Sequence, residues 1–166
     1  MTLTTHAIVG AALASFLTAS PLAAAALAFA SHFALDAIPH WDYPIASASV
    51  QPDKTAPMRY DRALVRDVAV IGLDALLGTA IGLALFAAPS NFWIVLLGAA
   101  MAILPDPLQF LYGRFPREPL RTLQRFHGWI HTERRLEGRP VFGLVTQLGF
   151  VLLVVAFSLA LHRMYS

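Results

Sequence analysis

Four side chains able to bind a metal close one alanine-rich segment of the chain: His32, Asp36, His40 and Asp42, within Ser31-His32-Phe33-Ala34-Leu35-Asp36-Ala37-Ile38-Pro39-His40-Trp41-Asp42. His32 and Asp36 stand four apart, so a helix places them one turn apart on one face. Pro39 disfavours the helical conformation at Ile38 and lacks a backbone donor, which stops the helix and lets His40 and Asp42 fold back across its end. His127 and His131 repeat the four-residue spacing, Asp106 lies in Pro105-Asp106-Pro107, and His6 opens the first apolar run. Taken singly, each motif has a bland reading as a polar helix end or a pair of interfacial histidines. Together they point to a metal site assembled from the ends of several helices.

The chain has no cysteine, so any metal is held by nitrogen and oxygen. The candidate ligands are His6, His32, Asp36, His40, Asp106, His127 and His131. A catalytic zinc needs only three protein ligands, so the surplus means either two ions or carboxylates that orient the histidines. Mixed imidazole and carboxylate donors suit Zn²⁺ first, with Mn²⁺ and Fe²⁺ as alternatives. The chemistry such a site offers is hydrolysis by a metal-bound hydroxide, with Asp42 as base or orienter and Arg125 neutralising a phosphate oxygen. Asp74 is a third catalytic candidate because an acid inside an apolar span is costly unless paired or used. It lies seven residues past Asp67, about 10 Å along a helix, within reach of a recessed site. Its structural alternative is a hydrogen bond to a neighbouring helix, and the structural alternative for the arginines is to set membrane topology.

The elements that must position these groups are apolar. Hydrophobic residues make up 57% of the 166 and charged residues 13%, with a mean hydropathy of +0.62. That is a membrane composition. The patterning predicts an all-α polytopic membrane bundle forming one domain over 1–166, with about five transmembrane helices at 6–19, 22–38, 68–88, 92–104 and 141–161. Thr4 or Thr5 is the expected N-cap of the first. That segment reads as a span and not as a cleaved leader, because no Lys or Arg precedes Lys54. Ser20-Pro21 breaks the first hairpin, and Gly78-x-x-x-Gly82 marks a close helix contact. Within the second polar loop, 108–139, Leu120, Leu123, Phe126 and Ile130 share one side, which predicts a short cytoplasmic surface helix. Lys and Arg concentrate in the loops 41–67 and 108–139, so the positive-inside rule puts both loops and the N-terminus in the cytoplasm. The formal excess of +2 gives no case for nucleic acid.

Several of these motifs resemble the YdjM-like group of bacterial inner-membrane proteins, described as metal-dependent hydrolases. The matching pieces are Thr5-His6 with Gly10, Leu104-Pro105-Asp106, His127-Gly128-Trp129-Ile130-His131-Thr132, and Ser31-His32-x-x-Leu35-Asp36. The His-x-x-x-Asp element is also similar to those of zinc-dependent phospholipases C. The resemblance implies metal-ligand roles for His6, His32, Asp36, Asp106, His127 and His131. It also implies hydrolysis of a phosphoester in a lipid-like substrate reached from the bilayer. A non-catalytic membrane protein that binds or transports a metal ion is the alternative.

Overall fold

The first helix is apolar on every side, and in the computed structural model the bundle is built around it. The structure describes residues 1–47, 60–132, 136 and 138–165. Among them are seven helices and no strand: α1 (Leu3–Ser15), α2 (Pro21–Asp36), α3 (Arg62–Phe86), α4 (Phe92–Ile103), α5 (Pro105–Arg114), α6 (Leu120–Ile130) and α7 (Pro140–Tyr165). The all-helical expectation holds. Lys54, Arg59, Arg134 and Arg135, counted above in the two basic loops, lie outside the described residues.

The expected five spans are not there. Among the described residues, α3 and α7 are long and apolar enough to cross a membrane, and α4 with α5 forms a third candidate only as one span bent by 47°. With 13 and 16 residues, α1 and α2 reach only about 20 and 24 Å at 1.5 Å per residue. A hydrocarbon core is about 30 Å thick. A helix hydrophobic all round is buried either in lipid or in protein, and α1 takes the second course. Its Leu3, Ala7, Ile8, Val9, Ala11 and Ala12 are all buried, enclosed by α2, α3, α4 and α7.

Small residues allow that enclosure. A Cβ on Gly10 would meet Ala102 Cβ at 2.5 Å and collide with the Gly98 carbonyl oxygen, so α1 and α4 cross backbone to backbone. Gly78 and Gly82 both face α1, against Thr4 and Ala11 respectively.

Three helix starts also differ from expectation, and the first is α1, which begins at Leu3 with Thr2, not Thr4 or Thr5, as its N-cap. Asp61 caps α3 by accepting from the Ala63 N–H at 2.8 Å, so the helix begins at Arg62 and not at Val68. Pro105 does not open a loop. It stands in the first turn of α5, where a missing N–H costs nothing and Asp106 faces the positive end of the helix. The stretch expected to be polar loop from Leu108 therefore begins as helix, and 120–130 forms the expected amphipathic helix α6.

The α1–α4 crossing has a direct test. Gly10→Val should destabilise the protein by roughly 1–3 kcal/mol through overpacking, seen as a lowered unfolding midpoint in detergent. Gly72→Ala, where nothing lies within 4 Å of the added Cβ, should be neutral or raise the midpoint, because alanine is favoured in a helix interior by about 1 kcal/mol.

Candidate metal centre

Asp36 ends α2, and its two carboxylate oxygens face different neighbours. Oδ2 lies 3.1 Å from His32 Nε2 and 2.9 Å from His127 Nε2. Oδ1 lies 3.3 Å from His6 Nε2, 3.7 Å from His40 Nε2 and 3.1 Å from the Met1 ammonium. Two ligand sets result, one of His32, Asp36, Asp106 and His127 and the other of Asp36, His40 and His131. The donor atoms of each set lie within 4.8 Å of one another, and Asp36 belongs to both.

Local sequence explains the convergence. His32 and Asp36 stack along α2, and the chain turns at Pro39 so that His40 returns beside Asp36. The bend at Pro105 brings Asp106 to 3.4 Å from His32 Nε2. α6 ends at Ile130, with His127 in its last turn and His131 as its C-cap. Backbone bonds tie this segment down: Thr132 N–H donates to Asp36 O and Leu136 N–H to His40 O, each at 2.9 Å. The first of these satisfies a carbonyl that the end of α2 would otherwise leave unpaired.

The histidines are set up as donors to a cation. Nδ1–H of His32 donates to Ala102 O at 2.8 Å, that of His40 to Ile38 O at 2.6 Å, and that of His131 to Thr132 O at 3.2 Å. A carbonyl only accepts, so in the neutral ring each Nδ1 carries the proton and each Nε2 a lone pair. Those lone pairs are turned toward carboxylates, which also only accept. His32 Nε2, His40 Nε2 and both nitrogens of His6 are buried without a hydrogen-bond partner. Buried acceptors facing one another need a shared proton or a cation between them. The Met1 ammonium, between Asp36 and Asp42, already stands as one cation among them. Asp36 and Asp42 share that ammonium and Asp106 faces His32, an excess of negative charge that a divalent ion balances. The residues present therefore fit a metal, and the buried His/Asp groups can hold one.

His127 differs in its proton. Gln109 Nε2 donates to His127 Nδ1 at 2.8 Å and to Asp106 Oδ1 at 3.1 Å. Nε2 then carries the hydrogen and donates to Asp36, and a metal bound there replaces that proton. His6 is fully buried and stacks on His32 with ring centroids 4.0 Å apart, alongside the first set but outside it. Asp42 lies 3.0 Å from His40 Nε2 and 3.6 Å from His131 Nε2, beside the ligand nitrogens of the second set, while backbone carbonyls orient those rings through Nδ1. Burial works against its charge, but His40 and the ammonium outweigh that and hold its carboxyl well below the usual carboxylate range. Burial lowers the pKa of His131, favouring the neutral ring that a ligand needs.

Two sequence candidates are not brought into the cluster. Asp74 accepts from Thr4 N–H at 2.8 Å, from Thr4 Oγ1–H at 2.7 Å and from the Tyr43 hydroxyl. Tyr43 in turn accepts from Leu3 N–H at 3.1 Å. The carboxylate thus caps the start of α1 from α3, a task that the N-cap Thr2 does not perform with its own side chain. This is the structural alternative named above. Arg125 is exposed two residues before buried His127, on the far side of α6 from the cluster.

Sequence reasoning passed over three groups. Gln109 is one: its place three residues after Asp106 on a helix was the available signal. Gln147 accepts from Thr2 N–H at 3.0 Å and donates to Trp41 O at 2.9 Å, bracing both chain segments at the site from α7. Tyr43, in the Asp74 clamp, is the third. Comparison with protein-family models, curated proteins and solved structures gives no match, so the site is read from its own geometry.

Metal stoichiometry separates these roles. Asp36→Asn weakens both sets and should strip the purified protein of metal, whereas His40→Ala should reduce content and leave the His32 set filled, as measured by elemental analysis. Asp74→Asn should keep its metal yet lower the unfolding free energy by about 1–3 kcal/mol, the range for disturbing a buried hydrogen-bonded group.

Proposed function

We propose that the chain is a membrane-embedded, metal-dependent hydrolase that cleaves a phosphoester bond of a lipid-like substrate at the cytoplasmic face. The observation that carries this reading is the pair of ligand sets joined at Asp36. Two adjacent ions are a common arrangement for displacement at phosphorus, and a bound divalent ion supplies Lewis acidity and a water of lowered pKa. Zn²⁺ is the first choice for this donor set and Mn²⁺ or Fe²⁺ the alternatives.

The chain's own residues grade the site from floor to rim. Asp36, His6 and His32 form a dry floor, while Asp42 and Asp106 keep 23% and 26% of their side chains exposed. A substrate meets the rim first. Asp42, beside the Nε2 atoms of His40 and His131, is placed to share at the rim the cation that those nitrogens face.

The helices long and apolar enough to span a bilayer favour membrane association. Under the positive-inside rule the N-terminus and both basic loops lie on the cytoplasmic side, a topology in keeping with the convergence of the α1 start, the α2 end and the α4–α5 bend on one cluster. The residues shared with the YdjM-like group and the zinc-dependent phospholipases C are largely those gathered here, which supports the same reaction class.

One observation favours a second reading. His6, His32 and His40 are fully buried, and closed sites are commonly structural, so a membrane protein that binds or transports metal without turnover is the alternative.

Purified protein should hydrolyse a short-chain phospholipid or a nitrophenyl phosphodiester when given Zn²⁺ or Mn²⁺ and stop with chelator. Asp42→Asn should slow it by about 10–100-fold, as for groups that adjoin the metal ligands. Metal-loaded protein that turns over neither substrate, under any of the three metals, would overturn the hydrolase in favour of the binding protein.

A further inference from the structure

α6 carries its ligand on one face and a quite different chemistry on the other. Gln124 and His127 are buried against the bundle, while Arg121, Arg125, Phe126 and Trp129 are exposed, with Arg114 and Arg117 exposed just before the helix. Trp129 is 78% exposed and Phe126 42%. The single acid in this stretch, Glu118, is engaged by the Thr122 N–H and hydroxyl. A strip of arginines with a bare indole and phenyl is matched by an anionic lipid surface: guanidinium groups pair with phosphate, and the aromatic rings enter the boundary between headgroups and acyl chains.

The hold of α6 on the bundle is made through its ligand side and through the segment that follows it, where Thr132 N–H donates to Asp36 O at 2.9 Å. Among the described residues it packs against α5 and α2. Its links include His127 with Asp36 at 2.9 Å, Gln109 with His127 at 2.8 Å, Gln124 with Gln109 at 3.5 Å, and the Phe126 edge contact with Phe33, ring centroids 5.1 Å apart. Pressure on the outer face therefore acts on the position of His127. We propose that the exposed face of α6 docks on anionic phospholipid headgroups of the bilayer, and that this docking seats His127 in the metal cluster. The second half rests on the metal site; the first does not.

The test uses the full chain in lipid nanodiscs of phosphatidylcholine alone or with phosphatidylglycerol added. Trp129 is the probe, with Trp41→Phe and Trp93→Phe removing the other indoles. Brominated phosphatidylglycerol should quench Trp129 several-fold more than brominated phosphatidylcholine, and Zn²⁺ affinity, read by competition with a chromophoric chelator, should be several-fold tighter in the anionic discs. Both differences should vanish in Arg121→Gln/Arg125→Gln and fade at high salt. Equal quenching by the two lipids would overturn the docking, as would protection of Trp129 by an oligonucleotide in place of lipid. Lipid-dependent quenching with unchanged Zn²⁺ affinity would keep the docking and overturn the coupling. Absence of Zn²⁺ binding in every disc would overturn the coupling along with the metal site, while quenching still decides the docking; lack of phosphodiester turnover bears on the hydrolase reading alone.

Discussion

A carboxylate sealed inside an apolar bundle must be compensated, and Asp36 is that carboxylate. Four imidazole nitrogens and an ammonium lie within 3.7 Å of its oxygens, and they arrive from four separate parts of the chain. Neither helix propensity nor hydrophobic burial requires α6 or the His40 turn to come to the end of α2. The need to satisfy buried acceptors does. The two backbone bonds from Thr132 and Leu136 to the Asp36 and His40 carbonyls act in the same sense, extending the attachment beyond side chains.

Packing around α1 makes this possible. Because Gly10 and Gly98 let α1 and α4 touch along their backbones, His6, His32 and the Ala102 carbonyl are drawn into one layer. His32 can then spend its Nδ1 proton on Ala102 while still facing Asp36. A larger residue at the crossing would move α4 outward and carry with it both that carbonyl and Asp106. The small-residue seam and the polar cluster are thus one construction, in which the seam sets how near the ligands stand.

Much of this was legible before any coordinates. The His32–Asp36–Pro39–His40 stop, the amphipathic α6 and the gathering of distant histidines follow from spacing and from the behaviour of proline. The misreadings have physical causes. Apolarity on all sides does not say whether lipid or protein covers a helix, so α1 and α2 passed for spans although the bundle itself encloses α1. Pro105-Asp106-Pro107 reads as a stop, yet proline and an acid in a first turn equally begin a helix, and only the 47° bend shows that both happen. Asp74 offered two readings at equal cost, and its partners lie seventy and thirty-one residues away. Gln109 carries no chemistry that singles it out from sequence.

The depth of the cluster follows from the same contacts. Thr4 is level with Asp74, and Asp74 stands seven residues beyond Asp67, about 10 Å down α3. Asp36 reaches both the Met1 ammonium and His6, one on each side of Thr4, so where α3 crosses a bilayer the cluster lies at about the level of Asp74. A floor of buried imidazoles with a half-open rim of Asp42 and Asp106, held at that depth, suits the lipid-like substrate of the proposed reaction. In that reaction the early end of α2 has a use: it leaves the polar terminus of the helix where the proposed headgroup would meet it.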